Sequence, residues 1–85
     1  MSPDRGPRRA RVVIVEPALS QLEKLTASET HRLDRAIVAI SVNPDLGTPV
    51  PDTLLRDYTD DIDAVRVVYY VTALRTLTIV AYVEA

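Results

Sequence analysis

The stretch 63-DAVRVVYYV-71 decides the fold. Branched and aromatic residues dominate it, as in a strand packed into a core, yet Arg66 sits inside the run. Alternation resolves the conflict. Val65, Val67, Tyr69 and Val71 share one face of the strand, while Arg66, Val68, Tyr70 and Thr72 share the other. The first face suits burial under helices, and the second is a half-polar surface on which a charge can stay in water. The stretch 76-TLTIVAYVE-84 is a second strand of the same kind, joined to the first by a short turn at Ala73, Leu74 and Arg75 and therefore antiparallel to it. Unbroken alternation predicts Leu77, Ile79, Ala81 and Val83 as its covered set, with Thr78, Val80, Tyr82 and Glu84 on the open face.

Upstream, "LLRDYTD" (54–60) reads as a further strand, with Leu55, Asp57 and Thr59 on one side and Leu54, Arg56 and Tyr58 on the other. The polar "TDDIDA" after it is a turn. "NPDLGTPVPDT" (43–53) holds three prolines and Gly47, the composition of an irregular surface connection. Before it, Leu33, Ala36, Ile37 and Ile40 recur at helical spacing, with Ser28 as the expected N-cap, Glu29 in the first turn and Asn43-Pro44 as the stop. "PALSQLEKL" (17–25) is a shorter helix opened by Pro17, so the two form a hairpin. "RVVIV" (11–15) reads as a strand covered on both faces. The leading "MSPDRGPRR" is expected to be a disordered basic arm over residues 1–10, with one domain over 11–85.

Composition narrows the chemistry. A chain of 85 residues closes one modest core. It has no cysteine and a single histidine, which leaves no disulfide, no thiolate site and no metal-ligand spacing, so no cofactor or metal is expected. From Val12 onward six basic residues face eleven acidic ones, a balance that argues against a general polyanion binder. No apolar run has the length of a membrane span, no membrane partner is expected, and the cytoplasm is the expected compartment.

The order strand, helical hairpin, proline-glycine loop and three antiparallel strands resembles the RelE/ParE superfamily of bacterial toxins. "VVIVEPALSQLEKL" looks like that family's first strand and helix, "AIVAISVNPDLG" like its second helix, "AVRVVYYV" like its arginine-bearing third strand and "LTIVAYV" like its last. The resemblance implies an α+β fold, β-α-α-β-β-β, with the hairpin on one face of a mainly antiparallel sheet. It also implies a toxin held by an antitoxin, acting on mRNA in the ribosome as a metal-independent endonuclease or, in the ParE-like branch, on gyrase. Arg66 matches the arginine that RelE-like nucleases place on the scissile phosphate, and Arg56 and Tyr70 are its candidate helpers. Cleavage through the RNA 2′-hydroxyl requires stabilising cations, a base and an acid. The family's second strand carries lysine or arginine where this chain reads Asp57 and Thr59, and the family has basic residues after its last strand where this sequence reads "YVEA". A second expectation is therefore a catalytically degenerate module whose hairpin and open sheet face bind an antitoxin or another copy as a homodimer, with Arg66 a partner contact. The plainer expectation ties Arg66 by an ion pair to Glu84 or to an acid of the second strand, makes Tyr70 and Tyr82 packing residues or base-stacking platforms, and puts His31 on a solvated helix.

Overall fold

A computed structural model of the chain describes residues 11–72 and 77–85. The expected basic arm and the turn at Ala73 to Arg75 lie outside the described residues. The elements run β1 (Arg11–Ile14), α1 (Ala18–Glu23), α2 (Ala27–Val42), β2 (Thr48–Pro49), β3 (Arg56–Asp60), β4 (Val65–Val71) and β5 (Leu77–Glu84). They build one five-stranded sheet in the order β1-β5-β4-β3-β2, antiparallel except for the β1–β5 pair. The α+β architecture is the expected one, with two differences in its strands. The proline-rich connection contains the two-residue strand β2, and the following strand starts at Arg56, two residues later than its apolar beginning suggested.

The core lies between the helices and one sheet face. Ala18, Leu33, Ala36 and Ile40 from the helices meet Val65, Val67, Tyr69, Val80 and Val83 from the two central strands. The alternation of β4 holds: Val65, Val67 and Tyr69 are buried, and the intervening residues are half-exposed. In β5 the expected alternation fails before Ala81: of the expected covered set Val83 faces the helices, and Ile79 is buried but on the other face of the sheet. Arg66, Val67 and Val68 pair with Glu84, Val83 and Tyr82, but Tyr69 pairs with Val80, which leaves Ala81 as an extra residue in a β-bulge. One inserted residue exchanges the faces of everything before it. Thr78 and Val80 are therefore turned to the helices and fully buried, while Ile79 joins Tyr70 on the open face. Gln21 of α1 accepts a hydrogen bond from the Val83 amide at 2.9 Å just past the bulge.

Two other local features differ from expectation. The cap of α2 is Thr26: its hydroxyl accepts from the Glu29 amide, and the Glu29 carboxylate accepts from the Thr26 amide. This reciprocal box requires an acid three residues after the cap, which Ser28 lacks. Strand β1 is an edge strand and is bare on the open side, with Val13 39% exposed, so it is covered on one face only. Its parallel register puts Val12 beside Thr78 and Ile14 beside Val80, toward the core.

Candidate functional site

Arg66 stands on the open face of the central strand β4, near the end that follows the β3–β4 turn. Thr59 of β3 and Glu84 of β5 lie directly opposite it, and Asp57 is its diagonal neighbour on β3. The guanidinium grips Asp57: Nε lies 3.1 Å from both carboxylate oxygens, and Nη2 donates to Oδ2 at 2.7 Å. Nη1 lies 3.8 Å from Glu84 Oε1, and the guanidinium carbon is 5.7 Å from the centre of the Tyr82 ring. The Tyr82 hydroxyl in turn donates to Glu84 Oε2 at 2.6 Å.

This geometry fixes the protonation states. The hydrogen bond from Arg66 holds the Asp57 carboxyl below the usual carboxylate range, and the same bond raises Arg66. The hydrogen bond to Glu84 pushes the Tyr82 phenol up, so it stays protonated and donating. One arginine between two carboxylates leaves the cluster with a net negative charge, a poor receptor for phosphate while Asp57 is in place.

The three residues named from the sequence do not form one constellation. Tyr70 shares the open face with Arg66, at the position paired with Ile79. Arg56 pairs with Tyr69 and so belongs to the opposite face from Arg66. Its Nη1 donates to the Gly47 carbonyl at 2.7 Å, and its Nη2 lies 3.6 Å from Asp45. Arg56 therefore holds the loop before β2. His31 is exposed on α2, as expected, away from this cluster in the fold.

The loop that Arg56 holds is also tied from below. The buried Tyr69 hydroxyl donates to the Pro44 carbonyl at 2.6 Å and accepts from the Gly47 amide at 2.9 Å. Glycine is required at 47 by close approach: a Cβ there would lie 2.9 Å from the Tyr69 oxygen and 3.0 Å from the Arg56 Cβ. Between this loop and β3 opens a cleft of about 450 Å³, lined by Leu46, Thr48, Pro49, Val50, Pro51, Asp57, Tyr58 and Thr59. Nothing in the periodicity of the sequence pointed to it. Gly47 among three prolines was the available signal, since a glycine in such a loop often marks a tight backbone approach.

With this geometry in place, solved structures supply a comparison. A chain of the intact E. coli RelBE toxin-antitoxin complex superposes with a TM-score of 0.74 at 18% identity, covering 88% of this chain and 94% of that one. The fold is that of the RelE toxins. The isolated E. coli RelE toxin gives a TM-score of 0.71 at 18% identity, covering 88% of this chain and 82% of that one. A chain of the Mycobacterium tuberculosis RelBE2 toxin-antitoxin complex gives 0.70 at 19% identity, covering 91% and 98%. No protein-family model matches the sequence, and no curated protein matches it. Among the described residues, no group of three or more His, Cys, Asp or Glu is placed to hold a metal, and no helix is long and apolar enough to cross a membrane.

Proposed function

We propose that this chain is the toxin of a toxin-antitoxin pair, held by an antitoxin protein and acting through its open sheet face. The observation that carries the reading is the RelE fold, matched over about nine-tenths of the chain by toxins that include partners in RelBE complexes. Arg66, on that face and with 42% of its side chain exposed, is the central contact. The resting geometry supports binding better than RNA cleavage. Asp57 already takes Nε and Nη2 of Arg66, among the described residues no second cation is paired into this cluster, and the Tyr82 proton is already committed to Glu84.

One feature favours a second reading, an mRNA endonuclease working in the ribosome. Arg66 occupies the strand position that the family resemblance assigns to the scissile phosphate, with Tyr70 on the same face. Tightly controlled induction in a bacterial host, with mapping of message 5′ ends, separates the readings. Growth arrest without new message ends supports a binding toxin. Arrest with new ends that vanish in Arg66→Ala supports the nuclease. Soluble, folded chain that leaves growth unchanged refutes both.

A further inference from the structure

The cleft beside β3 has the chemistry of a receptor for one kind of side chain. Thr48 pairs with Asp57 across the β2–β3 ladder, and Thr59 follows Asp57 by two residues, so the register gives these three the open face and makes them the polar floor. Leu46, Val50 and Pro51 supply apolar walls, and Asp57 is the one ionised group among the described lining residues. A proline in the edge strand β2 removes an amide from its ladder, which makes strand addition there unfavourable and side-chain insertion the better use of the space. Apolar walls above a single carboxylate match a long aliphatic stem that ends in a cation.

We propose that this cleft seats an arginine side chain of the protein partner, with Asp57 as its anchor. The proposal rests on the reading of the chain as one half of a protein pair, and it adds the chemistry of the contact. Charge complementarity selects the occupant. Among the described residues the chain engages four arginines: Arg32 on the Asp63 carbonyl, Arg35 on the Asp63 carboxylate, Arg56 on Gly47 and Asp45, and Arg66 on Asp57 and Glu84. The Asp57–Arg66–Glu84 cluster beside the cleft keeps a net negative charge, which attracts a cation and repels a phosphate backbone.

The arrangement also couples two events. Asp57 lies between the cleft and Arg66, and a carboxylate offers about four lone-pair directions, of which Arg66 contacts take three. An arginine entering the cleft competes with Arg66 for the same carboxylate. Seating the partner therefore loosens Arg66 from Asp57.

The test uses the full chain and two probes, the capped tripeptide Gly-Arg-Gly and its citrulline analogue, read by backbone amide shifts in a titration. The expected result is saturable shifts at Thr48, Asp57 and Thr59 with the arginine probe and none with citrulline. Asp57→Asn, a near-isosteric change, should abolish them. Arg66→Ala should tighten binding by up to about fivefold, the scale of an exposed ion pair removed from competition. Shifts that do not saturate, that appear equally with citrulline, or that persist in Asp57→Asn overturn the proposal, as does binding unchanged or weakened by Arg66→Ala. Because the readout is direct binding, failure here is distinct from an absence of growth arrest, which would instead remove the toxin reading.

Discussion

Tyr69→Phe removes one oxygen and tests how the site is supported. The hydroxyl is buried and bridges two backbone groups, the Pro44 carbonyl and the Gly47 amide. Phenylalanine keeps the ring in the core and leaves both groups without this partner. A buried polar group stranded in this way costs about 1–3 kcal/mol. Gly47 is buried and its amide bears the full penalty, whereas Pro44 is only half-buried and its carbonyl recovers part of the loss from water. The expected destabilisation is about 2 kcal/mol. A domain of this size has a total stability on the order of 4–13 kcal/mol, so the loss is large, equivalent to a fall in Tm of roughly 8–16 °C. Urea titration should show a lower midpoint at unchanged slope, since the surface exposed on unfolding is the same. Hydrogen exchange should show the Gly47 amide losing protection while the amides of β4 and β5 keep theirs relative to the new global stability. A change below about 0.5 kcal/mol with Gly47 still protected would refute the claim that this hydroxyl anchors the loop and the cleft behind it.

Three further perturbations read other parts of the structure. The Thr78 hydroxyl is fully buried and is without a hydrogen-bond partner, so Thr78→Val, which keeps the shape and removes the orphaned group, should stabilise the fold by about 1 kcal/mol in the same urea assay. Thr26→Ala removes half of the capping box and should cost about 1 kcal/mol, seen as a lower denaturation midpoint and faster exchange in the first turn of α2. The Asp57 carboxyl is held low in the folded chain by Arg66. Its contribution to stability is therefore complete above the ordinary carboxylate pKa of about 4 and is lost as pH falls from there through the depressed folded value. Thermal melts from pH 7 to 2.5 should show a shallower acid-side decline for Asp57→Asn than for the parent, and parallel declines would refute the assignment.

Much of the fold was legible because β4 alternates cleanly. Val65, Val67 and Tyr69 against Arg66, Val68 and Tyr70 fixed which face was covered, and helical spacing in α2 supplied the cover. The failures have local causes. Ala81 is a small residue with nothing to mark it as a bulge, yet it exchanges the faces of Thr78, Ile79 and Val80. Val80 and Ile79 are chemically alike and both are buried, on opposite faces, so composition could not correct the error. The cap is readable as Thr-x-x-Glu at 26–29, and Ser28, a good capping residue by type, lies inside that box. At the site, the pairing of Arg66 with Glu84 or an acid of the second strand was among the alternatives, and the structure shows contact with both. Arg56 is separated from Arg66 by the same alternation rule, since its position differs by an odd number from those of Asp57 and Thr59. The cleft was not legible because it depends on where a proline-rich loop lies, set by Tyr69 from another strand.

The most direct test of the account is growth after induction of the chain alone and together with a candidate antitoxin from the same genome, followed by purification through a tag on the chain. The account predicts arrest by the chain alone, rescue by the second protein and recovery of the two as one complex. Normal growth with soluble, folded chain, or rescue with no complex formed, would contradict it.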